Sequence, residues 1–251
     1  MNSRLLPFCR LVLLGCLLGS GGNRLPAMLE GSLLYFPTHS PAGPGLQAWR
    51  VGDALIGFSA AVPSPRTVWL MFHGNAGQAG DRGYIRESLP EGAAVFIMEY
   101  PGYGLREGSP SMASINAAAV EAYGLLRKRY PGVPIGVIGE SLGSGPASYL
   151  CSLDHPPERA VLIVPFDNLV AVAREHLPFL PVGLLMRDKW DNLAALAKYG
   201  GRIDIFGARE DTVIPVHHAR HLAQSLPRAA YREIDSGHND WAGRGLVKIA
   251  E

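Results

Sequence analysis

The chain has 251 residues, 47% apolar and 18% charged, enough for one large domain or two small ones with a sizeable core. A formal net charge of +1 and an isoelectric point near 7.8 give no electrostatic case for binding nucleic acid, and no charge run is long enough to read as a disordered tail. Three cysteines, two of them (Cys9 and Cys16) near the N-terminus, exclude a disulfide framework; Cys151 reads as a small buried hydrophobe.

Arg4 and Arg10 precede an uncharged stretch over residues 11–23, whose apolar part is Leu11-Val12-Leu13-Leu14-Gly15-Cys16-Leu17-Leu18. That part is too short to span a bilayer, which needs roughly 20 residues, and it suits the h-region of a secretory signal. Leu13-Leu14-Gly15-Cys16 also resembles a bacterial lipoprotein box, in which cleavage leaves the cysteine lipidated. Residues 1–24 are therefore expected to be a signal, lipoprotein or membrane-anchor segment. Residues 25–251 are expected to form one domain, exported or anchored, soluble at a membrane surface.

Gly31-Ser32-Leu33-Leu34-Tyr35-Phe36-Pro37 reads as a short first strand stopped by proline. After a Pro/Gly-rich loop, residues 48–58 give a hairpin with a Gly52-Asp53 turn. Arg66-Thr67-Val68-Trp69-Leu70-Met71-Phe72 is nearly all apolar, the mark of a strand buried on both faces of a parallel sheet, and runs straight into His73-Gly74-Asn75-Ala76-Gly77. Ala93-Ala94-Val95-Phe96-Ile97-Met98 is a second such strand. A helix follows Ser109-Pro110 and runs through Arg129, with Ile115, Ala119, Ala122 and Leu126 along one side. Further strands are read at residues 135–138, 160–164, 203–206 and 231–234, mostly separated by helical segments. Strands alternating with helices predict a doubly wound, mostly parallel α/β sheet. Residues 166–200 hold helical patches without a clear strand and read as a small cap. Its apolar run, residues 176–186, is read either as the lining of an acyl pocket or as a cover for the core.

The stretch that organises the chain is Val137-Ile138-Gly139-Glu140-Ser141-Leu142-Gly143-Ser144-Gly145. A buried strand stops at a glycine and turns at once into a helix with a small-residue face. Gly139-x-Ser141-x-Gly143 is the nucleophile-elbow pattern: the serine needs a tight, strained turn, and glycines two positions either side remove side chains that would collide. A serine hydroxyl is a weak nucleophile and needs a base, itself held by a third group. In such a sheet the acid and then the histidine follow the serine, each on a loop after a strand.

Asp211, after the strand at 203–206, fits the acid, and His238, after the last strand, fits the base. Glu210 beside Asp211, and Asp167 after the strand at 160–164, are the rival carboxylates. His217, His218 and His221 form a His-His-x-x-His cluster. His217 and His221 share a helix face that could hold a metal, but with no carboxylate between them the cluster reads as a solvated surface. A developing oxyanion needs two N–H donors; the backbone amides of Leu142 and Asn75 are the candidates. His73 reads as a brace for its loop rather than as a second base.

These segments together resemble the α/β-hydrolase superfamily. Tyr35-Phe36-Pro37-Thr38, His73-Gly74-Asn75-Ala76-Gly77, Tyr100-Pro101-Gly102-Tyr103-Gly104, Gly139-Glu140-Ser141-Leu142-Gly143, Pro178-Phe179-Leu180-Pro181 and Asp211-x-x-Ile214-Pro215 narrow the likeness to its Bem-type subgroup of small membrane-linked serine hydrolases. That subgroup includes eukaryotic relatives that remove palmitoyl groups from proteins. The resemblance covers residues 31–241, and Ser144-Gly145-Pro146 is an unusual start for the elbow helix. It implies Ser141 as nucleophile, Asp211 as acid and His238 as base, with no metal or organic cofactor.

The expected activity is hydrolysis of an ester or thioester, in a small-molecule or acylated substrate, by acyl transfer. The alternatives are a serine aminopeptidase-like peptidase, for which no carboxylate pair to hold a free amine can be placed, and a non-catalytic scaffold with the hydrolase shell. A haloalkane dehalogenase is disfavoured because its chemistry uses a carboxylate where this chain has Ser141.

Overall fold

A computed structural model describes residues 34–250. The expected N-terminal segment, residues 1–24, with Cys9 and Cys16, lies outside the described residues. Among those residues no helix is long and apolar enough to cross a membrane.

The main sheet has eight strands: β2 (Gln47–Val51), β3 (Ala54–Ala60), β4 (Thr67–Phe72), β6 (Ala93–Met98), β7 (Ile135–Glu140), β8 (Arg159–Ile163), β9 (Arg202–Ala208) and β10 (Ala229–Ile234). Their order is β10-β9-β8-β7-β4-β6-β3-β2. The six strands from β10 to β6 are parallel, and the β2–β3 hairpin adds two antiparallel strands at one edge. Residues 31–33 of the first expected strand lie outside the described residues; its end forms β1 (Phe36–Pro37), which pairs with β5 (Ala76–Gly77) in a separate two-stranded ladder. It therefore braces the loop after β4 rather than joining the main sheet.

The apolar runs follow from burial on two sides. Along β4, Val68, Leu70 and Phe72 enter one core layer while Trp69 and Met71 enter the other, and a strand with no wet face has no place for polar alternation. Right-handed crossovers then decide what covers each face. The step from β4 to β6 passes over one face through single 3₁₀ turns at Ala79–Asp81 and Gly83–Ser88, which contribute Ala79 and Ile85 to that layer; Trp241, Val247 and Ile249 close it from the C-terminal side. The steps from β6 through β10 run the opposite way along the sheet and cover the other face with α1 (Met112–Arg129), α2 (Ser144–Cys151) and, after the cap, α6 (Val216–Ser225).

Helix α1 has the boundaries its sequence signals. Ser111 caps it, its hydroxyl accepting from the Ser114 amide while Ser114 Oγ accepts from the Ser111 amide, a reciprocal pair that satisfies two otherwise orphaned N–H groups. Arg127, Lys128 and Arg129 occupy its last turn, where cations meet the negative helix end.

The cap comprises α3 (Leu169–His176), α4 (Val182–Leu185) and α5 (Asn192–Leu196). Both expectations for its apolar run need correction. Phe179 and Leu184 are 96% and 86% exposed and Leu185 is 53% exposed; they neither line an enclosed pocket nor cover the core, and only Val182 of that helix is buried.

What fixes the cap is its contact with the elbow helix. A Cβ on Gly145 would lie 2.6 Å from the Trp190 ring, so the unusual start of that helix is the space Trp190 occupies. Asn192 Nδ2 donates to Ser144 Oγ and to the Phe166 carbonyl, both at 2.8 Å.

A severe packing constraint lies under the elbow. A Cβ on Gly143 would stand 2.1 Å from the Phe72 carbonyl oxygen, a backbone atom that cannot swing away. Gly143→Ala is expected to destabilise the fold by about 3 kcal/mol or more, read as a lower urea midpoint or loss of folded protein. Cys151 is buried and burial pushes its thiol well above its ordinary value. It should resist alkylation in the native protein and react on unfolding, as mass mapping of the labelled site would report.

Candidate active site

The parallel strands reverse their winding between β4 and β7, and a doubly wound sheet opens a crevice at the carboxyl ends of the strands flanking such a reversal. The loop His73-Gly74-Asn75 leaves β4 and Ser141 leaves β7, so the topology delivers both to one place. The positions agree: a Cβ on Gly74 would lie 3.7 Å from that of Ser141.

Ser141 takes φ +52°, the left-handed region that costs a residue with a Cβ on the order of 1–2 kcal/mol. The turn is held from both sides. A Cβ on Gly139 would approach the Ser144 Cα to 2.6 Å, and Ser144 Oγ donates to the Ser141 carbonyl at 2.6 Å. The serine hydroxyl is thus displayed above the strand ends, at the start of a 3₁₀ turn, Ser141–Gly143, that leads into α2.

His238 and Asp211 reach it from the loops after β10 and β9. Ser141 Oγ lies 2.8 Å from His238 Nε2, and His238 Nδ1 lies 2.7 Å from Asp211 Oδ2. A carboxylate can only accept here, so Nδ1 carries the proton and Nε2 offers its lone pair to the serine hydroxyl. Asp211 Oδ1 accepts from the amides of Val213 and Ile214, each at 2.8 Å, which fixes the carboxylate plane. The two loops are stitched by Arg209 N–H to the Ile234 carbonyl and Glu210 N–H to that of Ser236. Glu210 is exposed, and it is Asp211 that bonds to His238. The arrangement can lower the cost of deprotonating a serine at the moment it attacks.

Asp167, the other rival, is turned elsewhere. Its Oδ1 accepts from His218 Nδ1 at 2.7 Å and its Oδ2 from His221 Nδ1 at 2.6 Å. Burial works to raise its pKa, but these two bonds and the Asn168 amide together outweigh it and hold the carboxyl at about 2. His217 and His221 do lie on an exposed face, with side chains 55% and 57% exposed, but His218 is buried and His217 pairs with Glu175 at 2.8 Å. The carboxylates come from β8's loop and from α3, too distant in sequence for spacing to reveal.

The loop after β4 is bound through its side chains. Asn75 Nδ2 donates to the Leu34 carbonyl and Tyr103 O–H donates to Asn75 Oδ1 at 3.0 Å. Neither the Asn75 nor the Leu142 amide takes part in a turn, loop or cap bond among the described residues. His73 is fully buried, stacked on Tyr100 with ring centroids 4.0 Å apart, with Nδ1 2.7 Å from the Gly74 carbonyl and Nε2 3.3 Å from Glu99. It braces the loop and does not reach the serine.

One residue of this site escapes sequence reasoning. Glu140, just before the serine, is 7% exposed. Its Oε2 accepts from the Gly74 amide at 3.2 Å, Tyr84 O–H donates to it at 3.0 Å, and Arg82 Nε stands 3.6 Å away. Beside this carboxylate, burial and its negative charge push the Tyr84 phenol well above its ordinary value. The only signal was a charged residue inside an apolar strand end.

The comparisons with known proteins agree with this architecture. No family model matches the chain. An uncharacterized protein of Mycobacterium tuberculosis is 30% identical over 176 residues, 68% of this chain and 62% of its own length. The lysophosphatidylserine lipase ABHD12 of Danio rerio is 29% identical over 197 residues, 70% of this chain and 50% of its own length. The chain thus spans about a third to three-fifths of the length of the curated relatives it matches. Among solved structures, the esterase Pf2001 of Pyrococcus furiosus superposes with a TM-score of 0.61 at 17% identity, covering 81% of this chain and 88% of that one. The fold is that of the α/β-hydrolases.

Removing the Glu140 carboxylate unties Gly74 and leaves Arg82 without its buried partner. Glu140→Ala is expected to cost about 2–3 kcal/mol and to speed exchange of the Gly74 amide at least tenfold, measured by urea unfolding and site-resolved hydrogen exchange.

Proposed function

We propose that this α/β-hydrolase-fold chain is a serine hydrolase that cleaves an ester or thioester of an acylated substrate, with Ser141, His238 and Asp211 as its catalytic triad. The observation that carries the reading is the unbroken path from Ser141 Oγ through His238 to Asp211, at 2.8 and 2.7 Å.

In the proposed reaction Ser141 Oγ attacks the carbonyl carbon while its proton passes to His238 Nε2. Asp211 keeps the imidazole in the required tautomer and stabilises the imidazolium that forms. The oxyanion is received by the Leu142 and Asn75 amides, whose loop is set in place by Glu140, His73 and Tyr103. Collapse breaks the bond to the alkoxide or thiolate, which leaves with the proton from His238. Water then clears the acyl-enzyme by the same steps in reverse roles, and no cofactor enters.

An acyl group as part of the substrate is supported by the exposed apolar edge of the cap, Phe179, Leu184 and Leu185, and by likeness to a relative named as a lysophospholipid lipase. The sequence of residues 1–24 supports work at a membrane surface, by export or lipid anchoring, and the Bem-type resemblance supports the same.

A fluorophosphonate probe should label the protein at Ser141, and Ser141→Ala should abolish the label while leaving the fold intact. p-Nitrophenyl ester hydrolysis should fall about ten-thousand-fold in Ser141→Ala and in His238→Ala. A folded wild-type chain that neither labels nor turns over p-nitrophenyl esters of any acyl length would leave the scaffold reading in its place.

A further inference from the structure

The carboxylate–histidine cluster between the cap and α6 takes no part in the proposed reaction, and its internal geometry is unbalanced. His218 Nδ1 lies 2.7 Å from Asp167 Oδ1, and an ionised carboxylate can only accept, so that nitrogen carries the proton. In a neutral ring Nε2 then holds a lone pair. That Nε2 is buried without a hydrogen bond, and it faces Glu175 Oε1 at 3.2 Å, an oxygen with lone pairs of its own. His217 Nε2 converges on the same oxygen at 2.8 Å. Two acceptors aimed at each other, one of them on a buried ring, call for a positive charge between them.

We propose that Glu175 Oε1, His217 Nε2 and His218 Nε2 form a binding site for a divalent transition-metal ion of the zinc class. The three atoms lie within 4.8 Å of one another. Ligands of a tetrahedral zinc ion at about 2.0–2.1 Å stand about 3.3 Å from each other, close to the 2.8 and 3.2 Å found here, so modest adjustment seats the ion. Two imidazoles and one carboxylate are a borderline donor set that suits zinc, cobalt or nickel over calcium or magnesium. Asp167 supplies the carboxylate behind a ligating histidine that orients the ring and raises its basicity. The His217 and Glu175 side chains are 55% and 43% exposed, so the ion has a path in and water can fill the fourth position.

The expected consequence is a clamp. Glu175 belongs to α3 of the cap, and the two histidines open α6, immediately after the loop that carries Asp211. His176, next to Glu175, already places Nε2 2.8 Å from the Val213 carbonyl, and the Val213 amide donates to Asp211. An ion here would pin the cap to the acid's loop. The i,i+4 pair His217 and His221 is not the ligand pair, because His221 turns its Nδ1 to Asp167 Oδ2.

The test uses the untagged full chain, stripped with a chelator and titrated with Co²⁺, then with Zn²⁺. Expected are saturable visible absorption of a tetrahedral cobalt centre at one ion per chain, and a melting temperature higher by about 5 °C at a hundredfold excess of zinc over its dissociation constant. His217→Ala and Glu175→Ala, at half-exposed positions, should keep the circular dichroism spectrum and weaken binding at least tenfold. Asp167→Asn should weaken it about tenfold without removing a ligand. Absent cobalt absorption together with an unmoved melting temperature overturns the site, since a proton on His218 then fills the gap. Unchanged titration in His217→Ala overturns it equally, by placing the ion elsewhere.

Discussion

A serine forced into the left-handed region of backbone space is the constraint on which the rest of this structure depends. With φ at +52°, Ser141 gives up part of the folding free energy so that its hydroxyl stands clear of the sheet. Such a conformation persists only where the surroundings over-determine it. Here the strand below is paired on both sides by β4 and β8, the helix above begins within three residues, and glycines at 139 and 143 admit backbone where side chains would collide. The winding of the sheet supplies the other half. Because the strand order reverses between β4 and β7, the loop that presents Asn75 and the turn that presents Ser141 open onto the same crevice.

Polar groups buried around the elbow do the positioning that apolar packing cannot. Glu140, His73, Glu99 and Tyr84 lie in or beside the core, yet each bonds to a loop backbone atom or to another member of the group. Hydrophobic contact is non-directional and fixes a loop only coarsely. A carboxylate accepting one particular amide fixes which way that peptide faces, which is what a pair of N–H donors aimed at one point requires. The cost of burying such charge is tolerable where the hydrogen bonds are made, and the site is where they are concentrated.

Much of this was legible in the residues because the relevant signals are local. The strands of the sheet could be read since two-sided burial leaves runs such as Val68-Trp69-Leu70-Met71-Phe72 without polar alternation, and the elbow since its sterics demand glycine at fixed offsets. Asp211 and His238 could be placed because each follows a strand, and chain order carries that information. What stayed hidden depends on contacts across the chain. Glu140 looked like an arbitrary residue between Gly139 and Ser141 until the loop from β4 was laid against it. The burial of His218 could not be read because its partners, Asp167 and Glu175, lie more than forty positions earlier. The pairing of Phe36–Pro37 could not be read because its partner, Ala76–Gly77, is itself only a loop segment.

The cap shows how a hydrophobic sequence can mislead. A run such as Leu177-Pro178-Phe179-Leu180 invites the assumption that it is held by burying its side chains, yet Phe179 and Leu184 bury almost nothing. Its position comes instead from two anchors that are specific in geometry. On one side Trp190 fills the space left by Gly145 and Asn192 bonds to Ser144, tying the cap to the helix that follows Ser141. On the other, His176 and Glu175 reach the segment that carries Asp211 and the helix after it. The residues between these anchors are joined to the body by little apolar contact, so their placement costs little to change. Exposed apolar side chains such as these are unfavourable in water and are relieved by covering them. The same anchors that hold the cap bear on the loops of Ser141 and Asp211, so displacement of the cap is felt where the proposed chemistry occurs.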